Sequence, residues 1–256
     1  MNNKLFQLLS DRLKNKMKDI AALQSWGDMG LSMFPNGTEA LSDFACDAGL
    51  NRKLVFWRGD ITQLSIDAIV NPANEQLMPG GGICGMIHMK AGPQLSQECQ
   101  RSGRLKPGQS ILTDAYKLPC KKVIHAVGPI NRKPDLLKAT YRSIFELFGG
   151  EISSLAIPSI STGVRGFPAD DAVAIALAEI RQFMDANKAR ITKLVIAIDD
   201  DNLASVYERE LPRFFPVERP HQTEVVILND EDKEDLPSYI EEEEEEEEDY
   251  SDSSTP

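Results

Sequence analysis

Short apolar runs separated by amphipathic stretches make up most of the chain after residue 53. Five runs carry apolar side chains on both faces, as strands of a covered sheet do: residues 54–57, 68–70, 122–127, 155–157 and 194–198. Elsewhere apolar positions recur every three or four residues, which predicts helices over residues 135–148, 168–187 and 201–216. Alternating strands and helices predict an α/β fold with a mainly parallel central sheet.

The chain before this region has a different pattern. Residues 4–24 repeat apolar side chains at helical spacing and predict an amphipathic helix, whereas residues 25–52 predict a connector with short elements at most. Basic residues in the first segment also suit a mitochondrial presequence, but Asp11 and Asp19 argue against one, because presequences contain few acidic residues. We therefore expect a helical extension over residues 1–50, followed by one domain over residues 51–219.

Charge divides the chain at about residue 220. The whole chain has 40 acidic and 28 basic residues, of which 16 acidic and one basic lie between Glu224 and Pro256, with eight consecutive glutamates from Glu241. Such a segment repels itself and cannot bury a core, so residues 220–256 are predicted to be a disordered acidic tail. Binding of a basic partner or phosphorylation of its serines is the alternative. The earlier residues carry 24 acidic and 27 basic side chains, so their charge does not exclude an anionic ligand.

Cysteine usage and hydropathy exclude two classes of protein. Cys46, Cys84, Cys99 and Cys120 form no CxxC pair, so neither a zinc site nor a disulfide framework is predicted. No run approaches the roughly 18 apolar residues of a membrane-spanning helix. With no secretory signal pattern, we expect an intracellular protein, cytoplasmic or nuclear. We also expect a monomer with no cofactor.

Two glycine-rich turns follow predicted strands. The first combines Asn71 and Asn74 with Gly80-Gly81-Gly82 before a predicted helix at Met86, and the second runs from Ser161 to Phe167 before the helix that starts at Pro168. In an open α/β sheet, ligands lie outside the carboxyl ends of the strands, where both turns meet. Free N–H groups at a helix start favour a phosphate. We therefore predict a diphosphate between the two turns, although neither turn matches a P-loop or a dinucleotide fingerprint.

Five motifs together resemble the macrodomain family. They are residues 57–62 (WRGDIT), 67–74 (DAIVNPAN), 80–83 (GGGI), 123–129 (VIHAVGP) and 160–164 (ISTGV). Their order and spacing are similar to those of the MacroD class, over about residues 50–217. The resemblance implies a three-layer α/β/α fold with a mixed, mainly parallel central sheet. It also implies that the ligands are ADP-ribose, mono-ADP-ribosylated proteins and O-acetyl-ADP-ribose.

The resemblance also assigns roles to individual residues. It implies that Asp60 accepts from the adenine amino group, that Ile61 offers a backbone N–H nearby, and that Asn71 and Asn74 bind the distal ribose. The residues alone leave an alternative open, because aspartate and asparagine also cap helices and form turns. The diphosphate would contact the backbone of Gly81, Gly82, Ile83, Ser161, Thr162, Gly163 and Val164.

Three positions depart from the MacroD pattern. Cys84 replaces an aspartate to which a role in activating water is assigned; a neutral thiol is a poor general base, although a helix start favours the thiolate. Arg165 replaces a common phenylalanine, so a charged contact with the ligand can replace the stacking of an aromatic ring. Gly166 and Phe167 complete the loop, and Phe167 can restore the aromatic contact. Asp199 stands where an aromatic ring often packs on adenine.

Two hypotheses for the function follow. The leading one is a hydrolase that cleaves the ester between ADP-ribose and protein Asp or Glu, or acetate, with Asn71, Asn74 and Cys84 as the candidate catalytic residues. The alternative is a non-catalytic reader of ADP-ribose, because Cys84 replaces the usual aspartate. Nucleic-acid binding is disfavoured, since no basic stripe with interleaved aromatic residues is present. His125, inside an apolar strand, is predicted to be a core histidine.

Overall fold

The computed structural model of the chain describes residues 17–38, 42 and 44–218. The predicted acidic tail and residues 4–16 of the predicted N-terminal helix lie outside the described residues. Within the described ranges, no helix is both long and apolar enough to cross a membrane.

Within the part of the chain that the structure describes, eight strands form two sheets. In chain order they are β1 (Lys18–Asp19), β2 (Leu54–Arg58), β3 (Leu64–Ser65), β4 (Ala68–Pro72), β5 (Ser110–Asp114), β6 (Lys122–Ala126), β7 (Ser154–Ile157) and β8 (Lys193–Ile198). The main sheet has the strand order β2-β8-β7-β4-β6-β5. All its neighbours are parallel except β5 and β6, so the sheet is mixed and mainly parallel. All five predicted strands are confirmed; β5 was not predicted, because its residues are only partly buried and show no sustained apolar run.

The described residues form seven α-helices and two short 3₁₀ turns. The helices are α1 (Trp26–Met33), α2 (Ala48–Lys53), α3 (Gly82–Ala91), α4 (Pro93–Ser102), α5 (Pro134–Glu146), α6 (Ala169–Ala186) and α7 (Asp201–Phe214). The 3₁₀ turns are Ile20–Ala22 and Ile61–Gln63. The three helices predicted after residue 134 are confirmed, and so is the helix expected at Met86. Helix α4 was not predicted, because its exposed face is polar and only Leu95 and Cys99 are buried.

Side chains alternate between the two faces of the main sheet and build two apolar layers. In β8, Leu194, Ile196 and Ile198 face the layer formed by α5, α6 and α7. Val195 and Ala197 face the layer that contains Ile87 of α3 and other residues of α3 and α4. Helices therefore cover both faces, which explains why these strands read as continuous apolar runs.

The N-terminal segment differs from its prediction. Residues 18–24 do not continue the predicted helix: Lys18–Asp19 pairs with β3, and a 3₁₀ turn follows. The predicted connector contains α1 and α2, and α1 buries Trp26 completely in the core beneath β2. The indole Nε1 donates to the Phe215 carbonyl at 2.7 Å, while Thr38 exchanges hydrogen bonds with Val217. Long-range partners of this kind leave no local pattern in the sequence.

Candidate active site

A cavity of about 490 Å³ lies at the carboxyl ends of β4, β7 and β8. Both glycine-rich loops and the start of α7 form its walls. Ten of the predicted ligand-binding residues line it: Gly81, Gly82, Ile83, Cys84, Ser161, Thr162, Gly163, Val164, Arg165 and Asp199. The lining also includes residues that were not predicted: Pro72, Ser159, Ala169, Ala197, Ile198, Asp200, Asn202, Leu203 and Val206. For the six of these residues between Ala197 and Val206, the sequence signal was the boundary between β8 and α7, where ligands of α/β sheets commonly bind.

The first loop carries the chain from β4 to α3. Gly82 has a φ of +56°, and a side chain at Gly85 would place Cβ only 2.3 Å from the Gly80 carbonyl oxygen. Glycine is therefore required at both positions. Gly81 is the N-cap of α3 in extended conformation, and no side chain caps this helix. The first backbone N–H groups of α3 are consequently available to an anion.

The second loop runs from Ser161 to Phe167. Ser161 has a φ of +67°, and its hydroxyl donates to the Pro129 carbonyl at 2.8 Å. The Phe167 N–H donates back to the Ser161 carbonyl, which closes the loop at its base, while Val164 at the tip is fully exposed. Phe167 packs in the apolar core and is not part of the cavity lining. The aromatic contact with the ligand that was expected of Phe167 is therefore not available in this structure.

Arg165 reaches from the second loop to the first. Its Nη2 donates to the Ala73 carbonyl at 3.1 Å, while its Nη1 is buried and has no partner among the described residues. Among the residues that line the cavity, Arg165 carries the one cationic side chain. The carboxylates in the lining, Asp199 and Asp200, belong to the β8–α7 boundary. The cavity therefore has one cationic region and one acidic region.

Asp60 caps the 3₁₀ turn Ile61–Gln63 and does not line the cavity. Its carboxylate accepts from the Thr62 N–H and hydroxyl, and from Lys90 Nζ at 2.6 Å. Burial of Asp60 works against ionisation, but the bonds from Lys90 and Thr62 dominate and hold the pKa of Asp60 below its ordinary value. The carboxylate is ionised at neutral pH, and it has the capping role that the sequence left open. Ile61 is buried beside it.

Asn71 is completely buried at the end of β4, where strand pairing places it opposite His125. Asn71 Nδ2 lies 3.0 Å from His125 Nδ1, and Asn71 Oδ1 has no partner among the described residues. Burial, and to a lesser extent the charge of His88, lowers the pKa of His125 to about 3, so this ring is neutral. The interpretation of His125 as a core histidine is confirmed.

Cys99 joins the same buried cluster. The donor atoms of His88, Cys99 and His125 lie within 4.8 Å of one another, which is a spacing that a metal ion could use. Both ring nitrogens of His125 already have partners, because Thr113 Oγ1 lies 3.0 Å from Nε2. Burial also raises the pKa of Cys99 to about 11, which keeps its thiol protonated. We therefore interpret the cluster as a hydrogen-bonded part of the core.

Asn74 and Cys84 stand on either side of Met78. Asn74 Nδ2 donates to the Met78 carbonyl at 2.7 Å, and Asn74 Oδ1 accepts from the Met78 N–H at 3.1 Å. Both polar groups of Asn74 thus support the first loop, and Asn74 is not part of the cavity lining. Cys84 Sγ contacts the same carbonyl at 3.7 Å and lines the cavity. In this structure Asn74 therefore acts as a turn-forming residue, which is the alternative that the sequence left open.

The comparisons with known proteins agree with this geometry. The profile of the Macro domain family matches residues 70–176. ADP-ribose glycohydrolase MACROD1 of Rattus norvegicus is 38% identical over 178 residues, which cover 67% of this chain and 69% of the rat protein. ADP-ribose glycohydrolase MACROD2 of Xenopus laevis is 40% identical over 174 residues, but the match covers only 42% of the frog protein. The crystal structure of a Trypanosoma brucei macrodomain in complex with ADP-ribose is 31% identical, with a TM-score of 0.66 and 77% of each chain covered.

The identity and coverage of the rat relative establish membership: the chain belongs to the macrodomain family. The three-layer fold predicted from the resemblance is confirmed. The chain spans less than half of the frog relative, so nothing about that protein's remaining segments carries over.

Proposed function

We propose that the protein binds ADP-ribose in the cavity and hydrolyses the ester between ADP-ribose and the carboxylate of a protein Asp or Glu, with O-acetyl-ADP-ribose as a second substrate. The observation that carries the proposal is the meeting of two glycine-rich loops in one cavity at the carboxyl edge of the sheet. The relatives named ADP-ribose glycohydrolases, and the Trypanosoma macrodomain bound to ADP-ribose, support this choice of ligand.

The diphosphate would lie between the start of α3 and the second loop. The uncapped N–H groups at the start of α3 supply donors and the positive end of the helix dipole. Gly81 and Gly163 let the ligand approach, because a Cβ built at either residue meets no atom within 4 Å. The adenosine would then lie along Ile198, Leu203 and Val206, the apolar part of the lining at the β8–α7 boundary.

The distal ribose would lie at the first loop, near Cys84 and the end of β4. Asn71 Oδ1 and Arg165 Nη1 are both buried without a partner in the described structure, and unpaired buried polar groups are uncommon in stable folds. Arg165 lines the cavity, so a bound ligand would supply a partner for its Nη1, whereas Asn71 is completely buried and does not line the cavity. Carboxylates in the lining belong to Asp199 and Asp200, away from this end, so catalysis would depend on positioning and on fixed dipoles rather than on a protein base.

The decisive experiment measures release of ADP-ribose from a protein mono-ADP-ribosylated on Asp or Glu, together with ADP-ribose binding by calorimetry. Gly163→Val places a branched side chain where the diphosphate would lie, at a residue whose surroundings leave room for it. We expect the wild type to bind and release, and Gly163→Val to do neither while keeping its melting temperature. Gly27→Ala, at a residue that does not line the cavity and where a new Cβ would lie 3.4 Å from its nearest neighbour, is the control and should match the wild type.

A second candidate function is a non-catalytic reader of ADP-ribose. It is favoured by Cys84, a small side chain in place of the usual aspartate, which contacts the Met78 carbonyl at the end where the distal ribose would lie. A reader binds ADP-ribose in the calorimeter but releases none, even with enzyme in excess. That pair of results would replace the hydrolase proposal.

A further inference from the structure

Arg165 has an unusual position for an arginine in a cavity. It is the one cationic side chain among the described residues that line the cavity, and its Nη1 is buried without a partner. An unpaired buried donor is costly, and more so when the group is charged. A substrate that carries an anion would supply the missing acceptor when it is bound.

The fixed end of the guanidinium shows where that acceptor would be. Nη2 donates to the carbonyl of Ala73, which lies between Asn71 and Asn74 in the first loop. Arg165 is therefore anchored at the end of β4, where the proposed function places the distal ribose, while Asp199 and Asp200 lie at the other strand boundary. The proposed function already gives the diphosphate the uncapped N–H groups at the start of α3 as donors, so Arg165 can take a different anion.

The proposed reaction generates such an anion. When the bond between the anomeric carbon and the ester oxygen breaks, its electron pair stays on that oxygen and the side chain leaves as a carboxylate. Water adds to the anomeric carbon, and its extra proton passes to solvent. A carboxylic acid has a pKa of about 4, so the departing group needs no proton at neutral pH and requires only stabilisation of its charge. The two-pronged guanidinium matches the geometry of a carboxylate.

We propose that Arg165 is a catalytic residue that stabilises the carboxylate leaving the distal ribose, and that it thereby limits the substrates to carboxylate esters of ADP-ribose. The inference rests on the proposed hydrolase function. A serine-linked ADP-ribose would have to expel an alkoxide, a much stronger base that needs a proton. Arg165 stabilises charge without giving up a proton, and no carboxylic acid lies at this end of the cavity lining.

The test compares single-turnover release from glutamate-linked ADP-ribose by the wild type and by Arg165→Gln, Arg165→Lys and Arg165→Ala. We expect Arg165→Gln to lower the rate by about 100- to 1000-fold, the usual effect of removing one charge-stabilising donor. Its affinity for free ADP-ribose, measured by calorimetry, should change far less, because the free ligand has no leaving carboxylate. Arg165→Lys should be intermediate, and the wild type should release no serine-linked ADP-ribose.

Chemical rescue separates a catalytic role from a structural one. Added guanidinium ion at millimolar concentration should restore part of the rate of Arg165→Ala, whereas sodium chloride at the same ionic strength should not. Arg132→Ala is the matched control, since Arg132 pairs with Asp171 on the surface and does not line the cavity. It should behave as the wild type does, with or without guanidinium.

The possible failures are distinguishable. Equal losses of rate and ADP-ribose affinity in Arg165→Gln would show that Arg165 holds the diphosphate, and would overturn the inference while leaving the hydrolase proposal intact. An unchanged rate in Arg165→Gln would also overturn the inference and leave the hydrolase proposal intact. Equally fast release of serine-linked ADP-ribose by the wild type would have the same consequence. Binding of ADP-ribose by the wild type without any release would overturn both.

Discussion

Polar groups are paired at one end of the parallel strands of the main sheet and left without partners at the other. We call the ends where these strands begin the amino edge, and the ends where they finish the carboxyl edge. At the amino edge, Asp67 joins the starts of β4 and β7: its carboxylate accepts from the N–H and hydroxyl groups of Ser153 and Ser154, and from Lys121. At the carboxyl edge, α3 lacks a side-chain cap, and Asn71 Oδ1 and Arg165 Nη1 lack partners among the described residues. The amino edge contributes stability, whereas the carboxyl edge keeps donors and acceptors for a ligand, at a cost in stability.

Loss of Asp67 should have the largest effect on stability. Asp67→Ala leaves the N–H and hydroxyl groups of two neighbouring serines without their acceptor in a mostly buried position. Unsatisfied buried donors cost about 1 to 3 kcal/mol each, so we expect a loss of roughly 2 to 4 kcal/mol in the free energy of unfolding. Urea denaturation monitored by tryptophan fluorescence measures it. A loss of unfolding free energy below about 0.5 kcal/mol, the usual range for exposed positions, would contradict the proposal that the amino edge contributes stability.

The same carboxylate should make stability depend on acid. Burial opposes ionisation of Asp67, but the bonds from Lys121, Ser153 and Ser154 dominate and hold its pKa far below the ordinary value. A lowered pKa adds stability that is complete above the unfolded value of about 3.9 and is lost as the pH falls toward the folded value. The difference in unfolding free energy between the wild type and Asp67→Asn should therefore stay constant from pH 7 to about pH 4.5 and shrink as the pH falls below about 4. A difference that stays constant below pH 4 as well would show that Asp67 acts through packing instead of charge.

At the carboxyl edge, a substitution that satisfies the free donors should stabilise the fold and impair binding. Gly81 has the extended conformation of an N-cap and room for a side chain, so Gly81→Asp would cap α3. We expect a gain of about 0.3 to 1 kcal/mol in stability, together with ADP-ribose affinity lowered by tenfold or more, because the new carboxylate competes with the diphosphate. Thermal denaturation and calorimetry measure the two effects. Gly81→Ala adds a methyl group without a cap and should show neither the gain in stability nor the loss of affinity.

The tip of the second loop should give the smallest effect. Val164 is fully exposed although it borders the cavity. Val164→Ala should change the unfolding free energy by less than about 0.5 kcal/mol, the usual range for exposed positions. A large loss of ADP-ribose affinity in this variant, measured by calorimetry, would show that the tip closes on the ligand and that the second loop contributes more than backbone donors.

The sequence predicted elements whose pattern is local and missed those that depend on distant partners. Strands β2, β4, β6, β7 and β8 were predicted because both faces are buried, whereas β5 at the edge of the sheet was not. The two loops were predicted from their glycines. The contact of Arg165 with Ala73, the pairing of Asn71 with His125 and the ion pair of Asp60 with Lys90 were not, because they join residues that lie 30 to 92 positions apart.

The contacts of Trp26 have a consequence for how the chain folds. Its indole bonds to Phe215, 189 residues away, and Asn51 Nδ2 donates to the Pro216 carbonyl at 2.7 Å. Contacts between such distant residues form late, because a long loop must close first. During synthesis, α1 can meet α2 and β2 early, but the partners of its indole at residues 215–217 leave the ribosome after all the other elements of the domain. The part of α1 that packs on this last segment therefore stays uncovered until then, which leaves it open to chaperone binding or aggregation.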